Sequence, residues 1–356
     1  MRISLCAVAV CLGVFAVGCG PNAASDSPDS GPSEPIACTP GERVCVGNAI
    51  HDCSDQGEPG DLVDTCPNGC AGGVCATGDN CAGGAVEFVY VVDTGNRLYA
   101  FDPSGDAHTF TTIGTLGCPA GAPLGDPGGL LGPATPFSMS VDRDATAWVL
   151  YSSGELFHVS TEDASCAATS FQKQQQGYDL FGMGFVSDSA GSDIEKLYVS
   201  GSLLDPLTGE LTDTKIGFID KSTLQISHLG NMANLENPPE LTGTGAAKLY
   251  GYFPGSASTV AELSKVDGQQ MAGRAWPAGS ISGGEQLAGW AFAQWGGRFY
   301  VFVTTQAGLL GGTTSKVIRV DPNANGGAGE AVTVVGNGAP FIVGAGVSTC
   351  APVVVD

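Results

Sequence analysis

A short strand phrase that recurs five times is the feature that most constrains how this chain folds. Each copy is rich in β-branched and aromatic residues and ends in Asp or Ser, and the copies span residues 98–102, 156–160, 216–220, 260–264 and 317–321. Their starts lie 58, 60, 44 and 57 residues apart. Such runs, separated by Gly, Asp and Pro turns, predict antiparallel meanders. A meander repeated at these intervals predicts an all-β chain with a β-propeller over residues 82–356.

A second set of predicted strands is poor in bulky side chains and suits the innermost position of each blade. Its members are residues 138–141, 182–185, 241–245, 290–293 and 342–346. Gly in these strands permits close backbone approach around a narrow axis. The first repeat has no such strand before it, whereas the last such strand has no blade after it. We therefore expect the C-terminal strand to complete the first blade, which gives five blades and leaves no open sheet edge at either end.

A six-bladed ring is the alternative to this count. It requires that residues 115–136 or 268–287 contain further strands.

The N-terminal residues have the order of a secretory signal. Arg2 precedes an apolar stretch over residues 3–17, which is shorter than the ~20 residues of a membrane-spanning helix. Val17 and Gly18 then come directly before Cys19. This arrangement resembles a bacterial lipoprotein signal peptide, although Ala16 stands where Leu is usual.

The resemblance implies that residues 1–18 are removed and that Cys19 becomes a lipidated N-terminus. It implies an exported protein on the bacterial cell envelope, at the outer membrane because Gly20 rather than Asp follows the cysteine. The alternative is an ordinary signal peptide cut after Gly20 or Ala24, which discards Cys19. Residues 19–37 are rich in Pro, Ser and Asp, so beyond Cys19 they predict a disordered tether.

The cysteines support export. Of the 13 in the chain, Cys6 and Cys11 belong to the signal and Cys19 to the anchor, so ten remain. Seven of these lie within a predicted disulfide-rich module at residues 38–81: Cys38, Cys45, Cys53, Cys66, Cys70, Cys75 and Cys81. A segment this small cannot bury an adequate core and is typically held by disulfides, with zinc as the competing reading.

If three disulfides form within residues 38–75, Cys81 remains to bond with a cysteine of the next domain. In the closed ring, Cys81 and Cys350 fall at one end of the same blade, where a bond would lock it. Cys118 and Cys166 then pair by elimination.

The net charge of the chain limits the classes of partner that it can bind. The chain has 36 acidic against 14 basic residues and a net charge of −22. Nucleic-acid binding needs clustered Lys and Arg, so nucleic acid is excluded as a partner. The expected partners are the membrane, through the lipid anchor, and a saccharide or an envelope protein.

The sequence identifies no catalytic residue. Residues 279–283 fail as a nucleophile elbow because Ile281 occupies the serine position, and no metalloprotease, phosphate-loop or dinucleotide motif is present. No cofactor is expected except calcium. Asp321, Asn323 and Asn325 resemble the first half of a calcium-binding loop, but Val332 stands where the bidentate Glu is needed.

Two further signals concern carbohydrate. Asp142, Asp188 and Glu240 lie at the ends of predicted inner strands, where carboxylates of propeller glycosidases converge. The tryptophans Trp148, Trp290 and Trp295 provide surfaces for stacking on sugars, although packing between blades is the alternative role.

Several segments extend the resemblance over most of the mature chain. Residues 137–143, 154–157, 240–245, 290–297 and 343–352 are similar to those of a group of myxobacterial lipoproteins with a small cysteine-rich module ahead of a β-propeller. The group has no assigned activity, so the resemblance implies architecture and location only. We expect an exported binding or scaffolding platform, with a carbohydrate-active hydrolase as the alternative.

Overall fold

The structure is a computed structural model that describes residues 38–46, 49–66, 70–71, 74–75, 81–82, 86–126, 128, 130, 132–205, 207–208, 211–232, 237–280, 285–308 and 311–354. The predicted signal peptide, Cys19 and the tether lie outside the described residues. Within the described ranges, no helix is long and apolar enough to cross a membrane.

The cysteine-rich segment forms short antiparallel strands. A three-stranded sheet has the order β1 (Arg43–Val46), β2 (Ala49–Cys53) and β3 (Pro59–Thr65), and a two-stranded sheet pairs β4 (Cys70–Ala71) with β5 (Val74–Cys75). Cys38 is bonded to Cys53, and Cys66 is also in a disulfide. The side chains of Cys45, Cys70 and Cys75 lie outside the described residues.

In the rest of the described chain, the regular secondary structure is almost entirely β-strand. In chain order these are β6 (Val89–Asp93), β7 (Arg97–Phe101), β8 (Phe110–Thr115), β9 (Pro136–Val141), β10 (Thr146–Tyr151), β11 (Leu156–Ser160), β12 (Cys166–Ala168), β13 (Leu180–Ser187), β14 (Glu195–Leu204), β15 (Leu211–Ile219), β16 (Ile226–Asn231), β17 (Glu240–Gly243), β18 (Leu249–Phe253), β19 (Thr259–Leu263), β20 (Gln270–Pro277), β21 (Glu285–Trp295), β22 (Arg298–Ala307), β23 (Thr313–Asp321), β24 (Glu330–Val335) and β25 (Ile342–Gly346). One 3-10 turn (Gln175–Gly177) and one short helix, α1 (Ala324–Gly327), interrupt them.

These strands form five four-stranded antiparallel blades in the described part of the chain. The orders from the inner strand outwards are β9-β10-β11-β12, β13-β14-β15-β16, β17-β18-β19-β20, β21-β22-β23-β24 and β25-β6-β7-β8. The five inner strands contact one another in sequence around the axis, and β25 contacts β9 to complete the circle. The predicted five-bladed β-propeller is therefore confirmed.

The six-bladed alternative is wrong. The described residues between 115 and 136 add no strand beyond the end of β8 and the start of β9. Those between 268 and 287 supply β20, which is the outer strand of an existing blade, and the start of β21. Both segments are accounted for without a further sheet.

The ring closes as the sequence predicts, because the C-terminal strand joins the first blade. In the β25–β6 pair, Gly344 faces Val92, Ala345 faces Val91 and Gly346 faces Tyr90. Cys81 precedes this blade and is bonded to Cys350, which follows it. A second bond, between Cys118 and Cys166, joins the segment after β8 to the outer strand of the neighbouring blade.

Glycine allows the inner strands to approach closely. A Cβ added at Gly346 would lie 2.7 Å from the carbonyl carbon of Ser140 and the nitrogen of Val141, both backbone atoms of β9. A Cβ at Gly184 would lie 2.7 Å from the Cα of Thr242 on β17. At these two positions the inner strands of neighbouring blades are therefore in backbone contact.

Aromatic side chains fill the seams between blades. Phe101 of β7 lies 5.6 Å from the ring of Tyr300 and 5.2 Å from that of Phe302, both on β22 of the adjacent blade. Trp148 of β10 similarly contacts Phe185 of β13 at 5.6 Å. These residues are almost completely buried, so both of these seams contribute hydrophobic stabilisation to the ring.

Candidate binding site on the propeller axis

A cavity of about 210 Å³ lies at one end of the axis, where the inner strands begin. Each inner strand contributes to its wall: Phe137 of β9, Phe181 of β13, Glu240 of β17, Trp290 of β21 and Val343 of β25. The volume exceeds the ~150 Å³ cavity that accommodates a benzene ring in an engineered protein core. A site assembled from five packed blades is held by the rigid part of the fold.

The wall of this axial cavity is mainly apolar. Four aromatic residues line it: Phe137, Trp290 and Phe341 are half-buried, and Phe181 is almost completely buried. The ring of Phe341 lies directly against the backbone of Gly289, where an added Cβ would be 2.5 Å from its Cε2 atom. Apolar walls with a few placed polar groups are typical of small-molecule sites.

Glu240 is the one ionisable side chain among the described residues that line the cavity. It begins β17 and is only 3% exposed. Its Oε1 accepts a hydrogen bond from the Ser138 hydroxyl, and the backbone amide of Met183 also donates to the carboxylate. Burial raises the pKa of Glu240 well above its ordinary value, and these two hydrogen bonds oppose that effect only in part.

The opposite end of the axis carries a network of paired charges. Asp142, directly after β9, accepts hydrogen bonds from the Thr146 amide (2.9 Å) and from Trp148 Nε1 (3.1 Å). Lys221 Nζ lies 3.1 Å from Asp142 Oδ2 and 3.0 Å from Glu195 Oε1. One lysine thus bridges two almost completely buried carboxylates from different blades.

Glu195 connects this network to the C-terminal segment. Its Oε2 accepts a hydrogen bond of 2.9 Å from Thr349 Oγ1, and its Oε1 accepts one of 3.1 Å from the Arg143 amide. Burial raises the pKa of Glu195, and the charge of Lys221 opposes this shift. Each of these charged groups therefore has a partner within the protein, and the network joins two blades to the C-terminal segment.

The structure does not bring the three predicted carboxylates together. The inner strands β13 and β17 run in the same direction, since Gly182 lies beside Glu240 and Gly184 lies beside Thr242. Asp188 follows β13 and is six residues beyond Gly182, which places it about 20 Å further along the axis at ~3.3 Å per residue.

Ser138 of β9 contacts Glu240, and Asp142 is four residues beyond Ser138. Asp142 therefore lies about 13 Å along the strand from the residue that contacts Glu240. Asp188 itself is exposed and pairs with Lys196 at 2.6 Å. The prediction that Asp142, Asp188 and Glu240 converge is therefore wrong, because it did not separate the beginnings of inner strands from their ends.

The tryptophans have different roles. Trp148 is 2% exposed and donates to Asp142, and Trp295 is 9% exposed and donates to the Val86 carbonyl at 2.8 Å. Both are packing residues, which is the alternative role that the sequence analysis gave for the tryptophans. Trp290 alone of the three predicted stacking residues lines the axial cavity.

The loop that resembles half of a calcium site has other contacts. Asp321 Oδ2 lies 3.1 Å from Arg298 Nε, while Asp321 Oδ1 accepts a hydrogen bond from the Asn323 amide. Asn325 Nδ2 donates to the Gly329 carbonyl at 3.3 Å. The equivalent strand-ending residues Asp102 and Asp220 accept hydrogen bonds from backbone amides two residues later in the same manner.

These contacts give the Asp321 loop the role of a turn that ends the third strand of a blade. No cluster of three or more His, Cys, Asp or Glu side chains suited to a metal ion is found among the described residues.

Sequence reasoning missed the aromatic wall of the cavity. Phe137 and Phe181 each occupy the second position of an inner strand, and Phe341 directly precedes β25. This recurrence is visible once the repeats are aligned on their inner strands, because aromatic residues at equivalent positions of different blades meet at the axis.

No protein-family model and no curated protein matches the chain. Solved structures similar to it include a protein of unknown function from Dyadobacter fermentans, at 10% identity, with 70% of this chain and 75% of that chain covered and a TM-score of 0.40. The propeller of Dos1 is also similar, at 10% identity, with 82% and 77% covered and a TM-score of 0.35. By its own strand order and ring closure the chain is a β-propeller, a fold compatible with a platform for binding or scaffolding. The function on such a fold depends on the residues of its site.

Proposed function

We propose that this protein is a lipid-anchored, exported binding protein of the bacterial envelope whose axial cavity holds a small ligand. The observation that carries the binding role is the axial cavity itself: an apolar, aromatic-lined space built by all five inner strands around one buried carboxyl group. Preformed sites of this kind bind ligands with little reorganisation.

The cavity favours binding over hydrolysis. Glycoside hydrolysis generally uses two carboxyl groups ~5–10 Å apart. Among the described residues that line the axial cavity, Glu240 has no second carboxyl partner, and Asp142 and Asp188 lie towards the other end of the axis.

A fragment screen tests the binding role. Purified protein is melted with a panel of small aromatic, aliphatic and saccharide compounds, and a compound at a hundred times its Kd should stabilise the fold by ~2.7 kcal/mol. Val343→Phe, which fills the cavity from β25, should abolish the stabilisation. Val332→Phe, at an exposed position of the outer strand β24, is the matched control and should retain it. Stabilisation that persists in V343F places the ligand elsewhere and refutes the proposal.

The lipid anchor is tested in bacterial cells that express the full chain. Wild-type protein should incorporate labelled fatty acid and sediment with membranes, because two or more acyl chains give stable anchoring. Cys19→Ala should lose the label, whereas Cys11→Ala should keep it. Labelling that survives in C19A would show that Cys19 is not the lipidated residue.

A further inference from the structure

Glu240 is an almost completely buried carboxylate whose described contacts include no cation, unlike those of Asp142 and Glu195. Asp142 and Glu195 are both paired with Lys221, at 3.1 Å and 3.0 Å. The described contacts of the Glu240 carboxylate are the Ser138 hydroxyl and the Met183 amide, which are neutral donors. No Lys, Arg or His is among the described residues that line the axial cavity.

A buried carboxylate without a counter-charge is costly in its ionised form. The shape of the site does not by itself require an acid, since Gln has nearly the same size and its amide oxygen can accept the hydrogen bond from Ser138. Glu240 lines the axial cavity, and its Oε2 atom lies beside Gly182, where an added Cβ would be 2.6 Å from it. The acid is therefore held by close packing in the cavity wall.

The aromatic residues that line the cavity with Glu240 are suited to a cation that also carries an apolar group. Phe137, Phe181, Trp290 and Phe341 all line the cavity, and the faces of aromatic rings attract ammonium groups, with Trp the strongest. The chain's net charge of −22 also raises the local concentration of cations at its surface. Aromatic walls, a buried carboxylate and an anionic surface all favour positive charge.

We propose that the ligand of the axial cavity is an organic cation, an ammonium group on a small apolar or aromatic body, whose charge pairs with Glu240. This inference rests on the proposed binding function and adds the chemical class of the ligand. The ammonium would supply the counter-charge that Glu240 lacks within the protein, while the apolar body contacts the aromatic wall.

Three probes of similar shape separate charge from fit. Phenethylamine carries a cation, 2-phenylethanol is neutral and 3-phenylpropanoate carries an anion. Their affinities for the purified protein are measured by calorimetry at pH 7. We expect phenethylamine to bind about tenfold or more tightly than 2-phenylethanol, since one hydrogen bond to a charged group contributes that much, and we expect the anion not to bind.

Glu240→Gln keeps the size of the side chain and removes its charge. In this variant the preference for the amine over the alcohol should disappear, while the affinity for the alcohol stays within about threefold of wild type. Glu330→Gln, at an exposed position of β24, removes one negative charge away from the cavity and should keep the preference. Circular dichroism establishes that each variant is folded.

The pH profile of the wild-type protein gives a readout that needs no variant. The ionisable residue closest to Glu240 on its own sheet is its register partner Tyr252, and burial raises the pKa of Tyr252 to about 12, so it stays neutral below pH 8. Ser138 and Met183, which approach from β9 and β13, do not titrate. Amine affinity should therefore rise as pH rises through the pKa of Glu240, with the alcohol unaffected.

The outcomes are distinct. A preference for the amine that E240Q removes supports the inference. Equal binding of amine and alcohol by the wild type overturns it and leaves the axial cavity as a binding site. Failure of all three probes to bind counts against both the inference and the proposed function.

Discussion

Cys81 and Cys350 are bonded to each other although 269 positions separate them in the sequence. Cys81 precedes β6 and Cys350 follows β25, which are neighbouring strands of one blade. The disulfide therefore fixes covalently the same junction that the β25–β6 hydrogen bonds close.

Removal of this disulfide should destabilise the ring more than removal of the Cys118–Cys166 disulfide, which joins two blades. Replacement of both Cys81 and Cys350 by Ser should lower the free energy of unfolding by about 2–5 kcal/mol. The paired replacement of Cys118 and Cys166, whose separation is 48, should cost about 1.5 kcal/mol less on the chain-entropy model. Urea unfolding of both variants measures the difference. Unchanged stability after loss of Cys81 and Cys350 would mean that the disulfide does not contribute to closure.

Packing at the axis predicts a strong effect of a single methyl group. Gly346→Ala places a Cβ 2.7 Å from backbone atoms of Ser140 and Val141, which cannot move without displacement of β9. We expect a loss of about 2–3 kcal/mol, in the range of overpacked cores. Gly336→Ala, where an added Cβ meets nothing within 4 Å, should stay within about 0.5 kcal/mol of wild type. Thermal unfolding of the pair is decisive, since similar melting temperatures for the two variants would contradict the tight axis.

Glu240 should make stability depend on pH. Burial raises its pKa in the folded state, so the folded protein holds this proton more tightly than the unfolded chain does. Glu240 therefore stabilises the folded protein fully at a pH below its pKa in the unfolded chain, about 4.3. This stabilisation is lost as pH rises through its higher pKa in the folded protein. E240Q should remove this loss and become more stable than wild type towards neutral pH.

The measurement is the difference in unfolding free energy between E240Q and wild type from pH 4 to pH 8. E330Q serves as the control for loss of one negative charge. A difference that does not change with pH would show that Glu240 remains ionised in the folded protein.

The charged network at the other end of the axis predicts unequal roles for two lysines. Lys221→Met leaves the carboxylates of Asp142 and Glu195, whose side chains are 5% and 3% exposed, without their cation. We expect a loss of about 2–4 kcal/mol at pH 7, as for other broken buried pairs. Lys196→Met breaks the exposed pair with Asp188 and should cost less than about 1 kcal/mol. Chemical unfolding compares them, and equal losses would mean that burial of the network is unimportant.

The repeat architecture could be predicted from sequence because each strand class has its own composition. Third strands, such as residues 317–321 of β23, have bulky side chains and end in a turn-forming Asp. Inner strands such as β17 and β25 instead contain the glycines that the axis requires. Counting these two classes gave five blades and left one inner strand for closure. Periodicity and local composition were sufficient for this step.

The candidate site could not be predicted in the same way. Phe181 and Glu240 belong to different blades, and their proximity depends on the common direction of β13 and β17 and on the stagger between them. Asp188 and Glu240 both border inner strands, but one follows its strand and the other begins it. A sequence pattern marks a strand boundary without giving the distance between boundaries in neighbouring blades.

The β25–β6 pairing also determines the order in which the molecule can be completed. Until residues 342–346 have left the ribosome, the inner edge of β6 lacks its partner, so the first blade to be synthesised is the last to be finished. A chain that ends before Ile342 lacks the strand that closes its ring. Because of the position of this one five-residue strand, the propeller can close only after the whole repeat region has been synthesised.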